Sequence, residues 1–114
     1  MKMTFNELPA FSRDFKRLAK KYKSLPADLE DFIRVVTAVP LGNSKHFSVL
    51  GKKERSAVVK ARFFCRYLKG SSLRIIYGYR ENQASIDFIE MYFKGDKECE
   101  DRGRIVEYLS SDPA

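Results

Sequence analysis

Val58-Val59-Lys60-Ala61-Arg62-Phe63-Phe64-Cys65-Arg66-Tyr67 is the stretch that decides the fold, because its charged and apolar side chains alternate. Successive side chains of a strand point to opposite faces. Lys60, Arg62 and Arg66 therefore share one face, while Val59, Ala61, Phe63, Cys65 and Tyr67 share the other. Two more runs rich in branched and aromatic residues follow, Leu73 to Arg80 and Ser85 to Lys94. In the first of these Arg74, Gly78 and Arg80 oppose Leu73, Ile75, Tyr77 and Tyr79. In the second Glu90, Tyr92 and Lys94 oppose Ile89, Met91 and Phe93. The connectors, Lys69-Gly70-Ser71-Ser72 and Glu81-Asn82-Gln83, are short, which favours antiparallel hairpins.

On the N-terminal side the period becomes helical. After an extended start at about residues 3 to 8, Phe11, Phe15, Leu18, Tyr22 and Leu25 fall on one helical stripe, with Ser12 as N-cap and Asp14 in the first turn. Pro26 opens a second helix striped by Leu29, Phe32, Ile33, Val36 and Val39, and Pro40-Leu41-Gly42-Asn43 stops it. A last helix, from about Asp96 to Ser110, begins acid-rich and offers Ile105, Val106 and Leu109 for packing. These elements predict an α+β fold: a small antiparallel sheet, an N-terminal helical hairpin packed on one face, and a C-terminal helix. With 114 residues, 44% hydrophobic and 13% aromatic, and no linker or repeat, residues 1–114 read as a single domain.

Composition also excludes chemistries. Cys65, Cys99 and His46 lack metal-ligand spacing, so a zinc site is not expected, and both cysteines read as small buried hydrophobes. A lone histidine closes paired-His mechanisms, and His46 reads as incidental. The N-terminus has no apolar run of signal-peptide type and no stretch is long enough to span a bilayer, which points to a cytoplasmic protein without a membrane partner. Lys69-Gly70-Ser71-Ser72 lacks the spacing of a phosphate loop.

The formal charge is +7, and its location says more than its size. Lys45 to Arg80 holds ten basic residues and one acid, Glu54, a net +9, so the rest of the chain is slightly acidic. If the apolar strand faces lie on the helices, Lys60, Arg62, Arg74, Tyr92 and Lys94 converge on the open face of one sheet, a surface suited to phosphates. Lys52, Lys53, Arg55, Arg66 and Arg80 are candidate RNA contacts around it, with Lys52-Lys53-Glu54-Arg55 read as a solvated loop.

The order and wording of these segments resemble the RelE/ParE toxins of bacterial and archaeal type II toxin-antitoxin systems. The resemblance is carried by Phe11-Ser12-Arg13-Asp14-Phe15-Lys16-Arg17-Leu18-Ala19-Lys20-Lys21-Tyr22, Ser24-Leu25-Pro26-Ala27-Asp28-Leu29, Val59-Lys60-Ala61-Arg62, Leu73-Arg74-Ile75-Ile76-Tyr77 and Ile89-Glu90-Met91-Tyr92-Phe93-Lys94-Gly95-Asp96-Lys97. It implies, in the RelE branch, a ribosome-dependent mRNA endoribonuclease that inhibits translation from the 30S A site, needs no cofactor, and is silenced by a cognate antitoxin protein. By position Lys60 and Arg62 fall on the family's Lys-x-Lys, and Arg74 on the arginine of its next strand. The chemistry is attack of a ribose 2′-hydroxyl on the neighbouring phosphate. Arginine does not deprotonate, so Lys60, its pKa lowered by like charge, is the candidate base. Arg62 and Arg74 would stabilise the transition state, with Lys94 as a further cation. In the best-known RelE pattern the last strand is followed by an Arg-rich stretch with a tyrosine further on, whereas here Lys94-Gly95-Asp96-Lys97-Glu98 is followed by acids, so the usual acid is either missing or replaced by Tyr92, Glu90 or Lys97. Two alternatives stand beside this reading: a ParE-like poison of DNA gyrase without nuclease activity, and a degenerate, non-toxic RNA- or antitoxin-binding member.

Overall fold

The computed structural model describes residues 2–43 and 45–111. Five strands form one sheet: β1 (Thr4–Glu7), β2 (Phe47–Lys53), β3 (Ser56–Cys65), β4 (Gly70–Arg80) and β5 (Ser85–Phe93), in the order β1-β5-β4-β3-β2. The last four are antiparallel neighbours, and β1 is added parallel to the edge of β5. Helices α1 (Pro9–Lys21) and α2 (Leu25–Ala38) form the expected hairpin on one face. The core there joins Phe11, Leu18, Leu25 and Phe32 of the helices to Val59, Phe63, Ile75, Tyr77, Ile86, Phe88 and Met91 of the strands.

The opposite face is not wholly open as the alternation alone implied. Helix α3 (Arg102–Ser110) lies across part of it, packing Ile105 and Tyr108 against Val58, Ile76 and Ile89. Gly78 of β4 permits the close approach, since a β-carbon there would fall 2.2 Å from the Tyr108 ring. Beyond α3, Lys97 reaches over Tyr92 and Glu100 meets Lys60, while Arg62 and Lys94 stay exposed beside them.

Several local expectations are corrected. The N-cap of α1 is Leu8, with Pro9 in the first turn, and Ser12 lies inside the helix, where its hydroxyl donates to Glu7 Oε1 at 2.8 Å. Asp14 is not in the first turn of α1. It accepts from Met91 N at 3.3 Å and pairs with Arg104 at 2.8 Å, because β1 ends at Glu7 and leaves the β5 edge beyond it for side chains to satisfy. Residues 96–101 are not helical. Asp101 caps α3 by accepting from Arg104 N, and its own N–H donates to Glu90 Oε1 at 2.7 Å. Lys52 and Lys53 end a strand instead of lying in a loop, joined to β3 by a turn in which Glu54 has φ 53°. The β3–β4 turn comes at Arg66–Lys69, and Gly70, Ser71 and Ser72 belong to β4. A register shift in β5 moves Ile89 to the α3 face with Tyr92. Cys65 is buried, but Cys99 is exposed.

Candidate nucleic-acid cleft

Strand pairing builds the site. Arg62 on β3 is opposite Arg74 on β4, which is opposite Tyr92 on β5, so the three stand in one row across the sheet at the usual strand spacing of about 4.8 Å. Lys60 lies two residues from Arg62 and shares its face, and Lys94 follows β5, with its N–H donating to Ser72 O at 2.9 Å. These five residues line one cleft of about 370 Å³ together with Lys45, His46, Ser48, Leu50 and Glu98. The expected constellation is therefore brought together.

Each member has a distinct state. Arg62 and Lys94 are exposed and, among the described residues, have no carboxylate partner. Arg74 is nearly buried; its guanidinium donates to Ser71 O at 2.7 Å and Leu73 O at 3.1 Å, which orients it without neutralising it. Tyr92 is 4% exposed and its hydroxyl has no hydrogen-bond partner among the described residues. Burial pushes that hydroxyl above the ordinary tyrosine range, although the Lys60 charge opposes this.

Lys60 differs from the expectation of a lysine with lowered pKa. Its Nζ lies 3.0 Å from Glu100 Oε1, a nearly buried carboxylate on the segment leading to α3. Burial disfavours the ammonium, but the Glu100 hydrogen bond, reinforced by the Tyr92 oxygen and the Glu100 charge, outweighs it and holds Lys60 above the usual lysine value. Glu100 is in turn held below the usual carboxylate value: burial opposes this, and the Lys60 bond and charge overcome it. Lys60 is thus a fixed cation and not a ready base. Of the candidate acids, Glu90 is tied to Lys97 and to Asp101 N, and Lys97 stands over the Tyr92 ring.

The peripheral candidates separate from the cleft. Arg66 turns to the helical side, where it meets Asp28 and Asp31 of α2. Arg80 is buried against the Tyr108 ring and pairs with Asp87 at 3.4 Å. Lys52, Lys53 and Arg55 are exposed at the far end of the β2–β3 hairpin, about 20 Å along the strands from Arg62. Arg55 there donates to Asn82 at 3.1 Å. Conversely, His46 and Glu98 line the cleft although neither was singled out for it. The missed signal for His46 was the strand that begins one residue later.

No protein-family model and no curated relative matches the sequence. Among solved structures it matches a chain of the archaeal RelE–RelB complex from Pyrococcus horikoshii, with a TM-score of 0.63. The match covers 85% of this chain and 100% of that one at 14% sequence identity. The chain has a RelE-like fold, and the α+β architecture implied by the resemblance is the one observed.

Proposed function

We propose that the protein is the toxin of a toxin-antitoxin pair and cleaves mRNA on the ribosome in the cytoplasm. The observation that carries this reading is the row Arg62–Arg74–Tyr92, flanked by Lys60 and Lys94, in an open cleft on a RelE-like sheet. Such a cleft suits a phosphodiester: Arg62 and Lys94 are free to bind it, and Arg74 is pre-oriented toward the charge that develops on phosphorus. Lys60, kept protonated by Glu100, donates to the leaving 5′-oxygen, which as an alkoxide is far more basic than an amine. The partner that silences it is an antitoxin protein whose acidic side chains compete for the same cations. That the matched structure is a RelE–RelB complex supports a partner of this kind.

The test is primer-extension mapping of an mRNA in a cell-free translation reaction, with a ribosome-free control. Codon-spaced cuts that require ribosomes are expected, and Arg62→Ala should reduce them on the order of 100-fold without unfolding the protein, because its side chain is exposed. Cuts without ribosomes would make it a free ribonuclease. Growth arrest without cuts, but with altered DNA topoisomers, would establish the gyrase-poison reading in its place.

A further inference from the structure

Lys60 can serve as the acid and Arg62, Arg74 and Lys94 as cations, but the transfer also needs a base. The row of the cleft extends one strand further: Arg62 N donates to His46 O at 3.0 Å, immediately before the ladder pairs Phe47↔Ala61 and Ser48↔Lys60. His46 therefore stands opposite Arg62, at the open edge of the sheet. Its backbone is fixed there, since Asn43 Oδ1 accepts from the N–H groups of Lys45 and His46 at 3.1 and 3.2 Å. The side chain is exposed, lines the cleft, and makes no hydrogen bond among the described residues.

We propose, on the basis of that reading, that His46 is the catalytic base that takes the proton from the ribose 2′-hydroxyl. The chemistry of the other groups in this cavity leaves His46 for that role. Arg62 and Arg74 do not release protons. Lys60 is held as an ammonium by Glu100, Lys94 is a second ammonium, and the Tyr92 phenol is buried. Imidazole is the lining group whose neutral form accepts a proton at ordinary pH. The rival is the Glu98 carboxylate, on the segment after β5. The charged groups facing His46 are Lys45 on its own segment, Lys60 and Arg62 on β3, and Arg74 on β4. Lys94 and Glu98 face it from beyond β5, and Asp28 and Asp31 face it from α2 across a second groove that His46 also lines.

The step balances. The neutral imidazole takes the 2′-hydroxyl proton, and the freed O2′ electron pair forms the O2′–P bond. The P–O5′ bond breaks with its electron pair on the 5′-oxygen, which takes a proton from Lys60. The products are a 2′,3′-cyclic phosphate and a 5′-hydroxyl, and solvent restores both side chains.

The experiment measures cleavage of ribosome-bound mRNA by wild type, His46→Gln, His46→Ala and Glu98→Gln across pH 5.5 to about 8.5, spanning the imidazole range. Wild-type cleavage should rise with pH, and His46→Gln should lower it roughly 10²- to 10⁴-fold with ribosome binding retained. Added imidazole should partly restore His46→Ala, and Glu98→Gln should keep the wild-type rise of rate with pH, whatever its absolute rate. Wild-type rates in His46→Gln, or disappearance of the rise with pH in Glu98→Gln alone, would overturn the assignment of His46 and leave the nuclease reading standing. A wild-type protein that makes no cuts would remove both.

Discussion

Glu100 Oε1 lies 3.0 Å from Lys60 Nζ, and this contact sets the charge state of the cleft and adds a pH-dependent stability. The Glu100 carboxyl is lowered from its ordinary 4.5, so its contribution is present above that value and is lost as pH falls through the lower folded value. Lys60 is raised from 10.5, so its share is complete below that value and is lost as pH rises through the higher folded one. The pair therefore stabilises across the neutral plateau. Glu100→Gln should cost about 1 kcal/mol at pH 7, discounted for the partial exposure of Lys60, and the difference in urea midpoints should vanish in strong acid. Two buried tyrosines make an opposed pair. The Tyr77 hydroxyl donates to Pro40 O at 2.7 Å, so Tyr77→Phe should cost about 1 kcal/mol. The Tyr92 hydroxyl makes no well-formed hydrogen bond and only lies near the Lys60 ammonium, so Tyr92→Phe should stay within about 0.5 kcal/mol of wild type in the same denaturation assay. At this scale alternation was a good guide: it put Lys60, Arg62, Arg74 and Tyr92 on one face. It did not reveal Glu100, which reaches Lys60 from 40 residues away, nor that Arg66 leaves the strand to meet Asp28 and Asp31.

Helix α3 and the cleft share one face of the sheet, and Gly78 determines how close the helix sits. The Tyr108 ring cannot easily retreat, because its hydroxyl donates to Asp87 at 2.6 Å and Arg80 stacks on it at 4.2 Å. Gly78→Ala would place a β-carbon 2.2 Å from that ring. The expected cost is about 1–3 kcal/mol, with faster amide exchange in α3 and unchanged exchange in α1 and α2. Protection in α3 equal to wild type would show that the helix does not depend on this contact. The elements legible in the sequence were those with a clean period: α1, α2, and the strands from Val58 onward. Strand β2 was not, since Phe47–Lys53 is an edge strand with exposed lysines, a glycine and a register shift around Leu50 that breaks the alternation. The start of α3 was placed too early because the acids of residues 96–101 look like a helical first turn. Asp101 alone caps the helix, while Glu100 serves Lys60.

For the whole molecule, the net +9 between Lys45 and Arg80 overstates the field available to an anionic ligand such as the proposed RNA. Arg66 and Arg80 are paired with aspartates, Lys60 is paired with Glu100, and Lys52, Lys53 and Arg55 point away at the far end of a hairpin. The cleft retains Lys45, Arg62, Arg74 and Lys94 as cations without a carboxylate partner among the described residues. Single-stranded nucleic acid releases about 0.7 counterion per phosphate neutralised. Four such cations predict a plot of log affinity against log salt with a slope of about −3 for a short RNA, and Arg62→Ala or Lys94→Ala should each reduce it by about 0.7. Lys52→Ala should leave the slope unchanged. A slope near −6, with equal losses from Lys52→Ala and Arg62→Ala, would mean that RNA follows the entire basic segment. The focused cleft between α3 and the sheet edge would then not be the place where it binds.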